Sequence, residues 1–185
     1  MRKVLKKLLD NGLYVKLKKC QFHVQEIEFL GYVLSIAGIA ISEERIATIL
    51  EWPVPKSVAD IQIFNGVANY FRRFIDGYSR VVTPLTNLLR KSTEFKWTAE
   101  TQAAFDKLKS LFSNEPILRH FDPALPIRLH TDASGFALSG IISQLHDDDG
   151  QWHPVAFWSR KCTPAECNYD TPDREMLAII SAMKH

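Results

Sequence analysis

Apolar and polar positions along this 185-residue chain switch several times between helical and strand spacing. Val4, Leu5, Leu8 and Leu9 share one helical face within Met1–Asp10, with lysines opposite, and Asn11-Gly12 is a helix stop. Leu13 to Leu17 alternates as a strand, and Gln25 to Ser35 reads as a second. Gly31 inside it predicts a bulge or a close backbone approach, against the plainer alternative of a kink. Ile36-Ala37-Gly38 turns the chain. Ser42 is placed to cap a helix over Glu43–Glu51, and Trp52-Pro53-Val54-Pro55 makes a stiff connector. Ser57 and Asp60 form an N-terminal capping pattern for a helix to about Phe74. On that helix Gln62, Gly66 and Tyr70 fall four apart, so they share a face. A glycine there costs about 1 kcal/mol relative to alanine, so Gly66 wants a reason. Ser79–Lys91 predicts a helix broken or begun by Pro84, and Phe95-Lys96-Trp97 a short extended link. Thr98 caps a helix buried through Ala104, Phe105, Leu108, Leu111 and Phe112, with Glu115-Pro116 as its stop.

The last third changes period. Ile127, Leu129 and Thr131 alternate with Arg128, His130 and Asp132, a half-buried strand ending in an acid. Ala133-Ser134-Gly135 suits a tight turn. Phe136 to Ser143 is the returning strand, and Trp152 to Arg160 a third, after the acidic turn Asp147-Asp148-Asp149-Gly150. A helix then starts near Thr171 with Glu175 in its first turn. Asp132 and Glu175 are thereby expected to converge at the rim of a small antiparallel sheet. Two such carboxylates can share a divalent cation. Spacing alone fits the plainer roles equally: a turn residue for Asp132, a helix-dipole partner for Glu175.

Charge sharpens this picture. Net charge is only +2, but residues 1–19 hold seven Lys/Arg against Asp10 alone, whereas residues 125–185 hold five basic and eight acidic residues. A basic front and an acidic rear suit a protein that grips phosphates in one place and a cation in another; a solvated helix face explains the front equally well. Three cysteines make no even disulfide framework and point to a reducing, intracellular setting. Cys20 and His23 look like half a zinc site with no second half. The longest mainly apolar run, Gly31 to Ile41, is too short to span a bilayer, and no signal peptide is visible.

The strings HTDAS, ALSGIISQ, HPVAFWSRK, AECNY and DREMLAII resemble the opening of the RNase H domain in the Pol polyprotein of gypsy-like LTR retrotransposons. LLDNGLYVKLKKCQF and EIEFLGYVLS resemble the end of a reverse-transcriptase palm. NYFRRFI, PLTNLLRK and FDPALPIRLHTDAS fall between them in the family's order. The resemblance implies an α+β, multi-part fold: a palm-remnant hairpin over residues 1–41, a helical thumb over 42–92, a connector over 93–124, and over 125–185 the N-terminal part of an RNase H-like domain, three antiparallel strands plus a helix.

It further implies that Asp132 and Glu175 are catalytic ligands of Mg²⁺ or Mn²⁺. Phe29, Leu30, Gly31 and Tyr32 would touch the primer strand, with Phe29 and Tyr32 as plain core residues the alternative. Gln62, Gly66 and Tyr70 would follow the minor groove of a template–primer duplex or RNA–DNA hybrid, with Arg72 and Arg73 on phosphates. A helix crossing at Gly66 and dipole-serving arginines are the alternative. Two departures stand out: Asn65 where the family usually has Leu, expected to weaken packing, and Ser139 where it usually has Gly. The polymerase's paired aspartates and the later RNase H acids are missing. Two carboxylates hold Mg²⁺ weakly, so the isolated chain is expected to bind duplexes, polymerise nothing and cleave little or nothing, with the remainder of the polyprotein as its partner; a non-catalytic nucleic-acid-binding remnant, or a structural piece that folds only against the rest of the polymerase, is the alternative.

Overall fold

The computed structural model describes every residue except Ser92 and Glu115. The expected helix stop at Glu115 and the segment boundary at Ser92 lie outside the described residues.

Two three-stranded antiparallel sheets, each in chain order, are joined by helices. The first comprises β1 (Glu26–Phe29), β2 (Tyr32–Ser35) and β3 (Gly38–Ile41). The second comprises β4 (Ile127–Ala133), β5 (Ala137–Leu145) and β6 (Trp152–Lys161). Around them run α1 (Arg2–Asp10), α2 (Glu43–Leu50), α3 (Val58–Tyr70), α4 (Tyr78–Val81), α5 (Thr83–Asn87), α6 (Ala99–Ser113) and α7 (Thr171–Met183).

Several expectations change. Leu13–Leu17 is no strand: its apolar residues are exposed, and the chain enters a 3₁₀ turn at Leu17–Lys19. The strand region expected over Gln25–Ser35 divides into the two paired strands of a hairpin. Leu30 (φ 54°) and Gly31 (φ 82°) both sit in the left-handed region, the geometry of a two-residue turn whose twist suits antiparallel strands. Gly31 is therefore a turn residue and not a bulge. Ser42 stands at the N-terminus of α2, but its buried hydroxyl has no partner among the described residues. Ser57 does cap α3, accepting from the Asp60 amide at 3.2 Å, while the Asp60 carboxylate reaches back to the Lys56 amide at 2.9 Å. Helix α3 stops at Tyr70, and a 3₁₀ turn carries Arg72–Phe74. Pro84 opens α5, where its missing N–H costs nothing. Thr98 and Thr101 cap α6 reciprocally. Asp173, and not Glu175, occupies the first turn of α7.

One continuous core joins the first sheet to α2–α6, with Phe64, Phe74, Phe105 and Phe112 almost wholly buried. Phe64 and Phe105 meet at 4.8 Å between ring centroids. Leu118 ties the segment after α6 to β3 by paired backbone bonds with Ile39. This approach explains Gly38: a Cβ there would stand 2.2 Å from the Leu118 carbonyl oxygen. Asn65 does not simply weaken packing, because its Oδ1 accepts from the buried Tyr78 hydroxyl at 3.3 Å.

The second sheet is clasped from both faces. Register aligns Asp132, Ser139 and Ser159, so they share one face. That face rests on α4, where the Ser159 hydroxyl accepts from the Ser79 amide at 2.9 Å. Gly140 lies on the other face, which α7 covers: a Cβ on Gly140 would meet the Ala182 Cβ at 3.1 Å. Gln144, fully buried, bonds both backbone groups of Asp122 and so fixes the chain's entry into β4.

Candidate nucleic-acid interface and the paired carboxylates

The β1–β2 turn and α3 meet through aromatic residues. Tyr32 packs on Tyr70 and Phe71, each at 5.3 Å between centroids, and on Phe74 at 5.9 Å. Its hydroxyl donates to the Tyr70 carbonyl at 3.1 Å, and the Tyr70 hydroxyl donates to the Leu30 carbonyl at 3.3 Å. Burial and the neighbouring Tyr70 push the Tyr32 phenol up to about 12. This clamp fixes the turn on the helix across forty residues of sequence. It gives Tyr32 a packing role whatever else it touches. Phe29 and Leu30, by contrast, are 57% and 67% exposed. A bulky apolar residue held at positive φ and turned to solvent is a strained arrangement of the kind found at binding sites.

Beside the clamp opens a cleft of about 300 Å³ lined by Leu30, Arg45, Gly66, Val67, Tyr70 and Phe71. Gly66 faces it with nothing within 4 Å of where a Cβ would be. An intrachain helix crossing therefore does not explain this glycine among the described residues. Gln62 lies one turn earlier, exposed, with no hydrogen bond among the described residues. The structure thus unites Leu30, Gly31, Tyr32, Gly66 and Tyr70, with Gln62 and Phe29 adjacent along their elements. Arg72 departs from the group. Its guanidinium bonds the Ser159 carbonyl at 3.4 Å and Asn69 at 3.5 Å, so it ties the 3₁₀ turn to β6. Arg73 is exposed and lines a separate cavity of about 440 Å³ with Phe121, Phe157 and His185. Arg45, also on the wall of this cleft, is not singled out in the sequence. It is a cation among the acids of a helix's first turn, where the dipole disfavours it.

The carboxylates lie elsewhere. Asp132 accepts from the Arg80 guanidinium of α4 at 2.5 Å. Glu175 sits on α7, three residues before the fully buried Ala178, on the stripe turned to the sheet. Asp132 lies in β4 with its side chain on the face that α4 covers, whereas Glu175 rises from α7, the helix on the other face. Mg²⁺ demands near-octahedral oxygen ligation. No group of three His, Cys, Asp or Glu among the described residues is placed to hold a metal ion. Of the two carboxylates, Asp132 is already engaged by a guanidinium.

Residues 97–185 match the model of the RNase H-like domain found in reverse transcriptase. They belong to that family. The whole chain, through the RNase H-like domain and the cleft ahead of it, is 40% identical over 185 residues to the Tf2-3 and Tf2-4 transposon polyproteins of Schizosaccharomyces pombe (strain 972 / ATCC 24843). It spans 14% of their length. Over 98% of the chain its fold is similar to part of foamy viral protease–reverse transcriptase. A complex with RNA/DNA hybrid matches at TM-score 0.77 and 26% identity, covering 24% of that chain. A complex with dsDNA matches at TM-score 0.76 and 26% identity, covering 38%. Among the described residues no helix is long and apolar enough to cross a membrane.

Proposed function

We propose that this chain is the duplex-holding segment of a retrotransposon reverse transcriptase: the end of the palm over residues 1–41, the thumb over 42–92, a connector over 93–124 and the first part of the RNase H domain from 125. The parent enzyme would copy RNA into DNA and cut the RNA of the resulting hybrid. The observation that carries this reading is the cleft where the strained Leu30-Gly31 turn meets Gly66 and Tyr70, open directly above the glycine. A helix surface without a side chain lets a sugar–phosphate edge come close. Gln62 can reach minor-groove acceptors, and Tyr70 can stack on a sugar. The exposed lysines of α1 and the residues after it add sequence-independent attraction. That the similar foamy viral proteins are complexes with duplex DNA and with RNA/DNA hybrid supports duplex binding here. Three free cysteines suit an intracellular setting.

Asp132 and Glu175 are the carboxylates this segment would lend to a Mg²⁺ centre completed from outside it. On this reading two carboxylates alone would hold Mg²⁺ weakly, so the chain by itself would hold a hybrid and cleave little or none of it. Fluorescence anisotropy with a labelled RNA–DNA hybrid, followed by gel analysis after incubation with Mg²⁺, tests both halves. Salt-sensitive binding with intact RNA is expected. Absence of binding at low salt, or RNA cutting lost in Asp132→Asn, would overturn one half or the other.

A further inference from the structure

We propose that Arg45 is a phosphate contact of the bound duplex, gripping the backbone of the strand that passes between the Leu30-Gly31 turn and Gly66. This rests on the duplex-holding reading above. Arg45 is exposed in the first turn of α2 and forms one wall of the cleft. Its guanidinium has no hydrogen bond or ion pair with any described residue, although Glu43 and Glu44 precede it directly. A cation near a helix N-terminus opposes the dipole, so helix stability does not account for it. Its placement is nonetheless fixed. The stem crosses Gly31, where a Cβ would lie 3.1 Å from Arg45 Cγ, 3.2 Å from Nε and 3.4 Å from the Phe71 ring. Gly31 thus serves twice: it permits φ of +82°, and it leaves a channel for the arginine stem.

The chemistry points to an anion arriving from outside. A guanidinium offers five donors in a planar fork suited to two oxygens of one phosphate. Arg45 presents that fork at the cleft where Gly66 is bare and the Tyr70 ring is half-exposed. A strand whose sugar edge lies on Gly66 and Tyr70 carries its phosphates along the cleft's rim, within the fork's reach. Arg72, held on the Ser159 carbonyl, is not available there.

Anisotropy titrations of a hybrid with the full chain, from about 50 to 200 mM salt, test the assignment. Arg45→Ala and Arg45→Gln are each expected to weaken binding about three- to tenfold, equally for unrelated sequences. Each should also lower the slope of log affinity against log salt by roughly one phosphate's worth, about 0.7–0.9. Arg45→Lys should keep the slope. Gln62→Ala, which removes no charge, should weaken binding with the slope unchanged. If the wild-type chain binds and Gln62→Ala weakens it, while both Arg45 variants keep wild-type affinity and slope, the assignment of Arg45 fails and the duplex-holding reading survives. If the wild-type chain does not bind at low salt, both fail together.

Discussion

Arg80 of α4 holds the carboxylate of Asp132 at 2.5 Å across 52 residues of sequence, joining the helical layer to the rim of the second sheet. Both side chains are half exposed or more, so screening limits what the pair contributes to stability. A double-mutant cycle with Arg80→Ala and Asp132→Asn, read by urea denaturation, is expected to give a coupling of about 0.2–1 kcal/mol. Asp132→Asn should leave hybrid affinity unchanged. A coupling well above 2 kcal/mol would show that the pair is a structural anchor and not a carboxylate parked on a nearby cation.

The anchor between the layers is Ser159. Its buried hydroxyl accepts from the Ser79 amide at 2.9 Å and bonds the Ser79 hydroxyl at 3.1 Å. Ser159→Ala would leave the amide unpaired in a buried place, at a cost of about 1–3 kcal/mol. Urea midpoints of the variant and wild type measure this, and an unchanged midpoint would contradict it.

Glu166 gives the fold a pH dependence. Arg160 donates to both of its carboxylate oxygens, at 2.7 and 2.9 Å, and the Thr163 amide adds a bond at 2.8 Å. Arg160, and after it the Thr163 amide, lower the carboxyl to about 2. A carboxylate depressed in the folded state stabilises fully above its unfolded value, about 4.3, and the contribution fades as pH falls toward the folded one. Wild-type stability should therefore drop between about pH 4.5 and pH 2 more steeply than that of Glu166→Gln. Parallel curves in denaturation series at stepped pH would contradict this role.

Gly38 and Gly66 predict opposite outcomes for one substitution. Gly38→Ala would drive a Cβ to 2.2 Å from the Leu118 carbonyl at φ of +145°, and a loss of about 2 kcal/mol or more is expected. Hydrogen exchange at the Ile39 and Leu118 amides would report the opened bridge. Gly66→Ala meets nothing and sits in a helix, so a gain of about 0.5–1 kcal/mol is expected.

Much of this was legible from local pattern. The Thr98 cap, the α6 stripe and the β4–β6 hairpins follow from spacing and turn chemistry that act within a few residues. What escaped depends on contacts between distant segments. Spacing alone runs one strand region through Leu30-Gly31 because one apolar run continues there, and the hairpin is implied only by resemblance; the pairing of Phe29 with Tyr32 places the reversal. Arg72 looked like a phosphate residue until the Ser159 carbonyl claimed it, and Arg80 drew no notice because its partner lies 52 positions away. Gln62, Gly66 and Tyr70 were readable as a face, but their junction with the β1–β2 turn required the tertiary fold.

The most direct test of the central claim is the affinity of the full chain for an RNA–DNA hybrid with Gly66 replaced by alanine, measured beside the urea midpoint of the same variant. Affinity reduced roughly tenfold, about 1.4 kcal/mol, in a protein at least as stable as wild type is the result expected if a duplex lies against that bare helix surface. Undiminished affinity would contradict the account, since no strand could then be packed where the new methyl group stands.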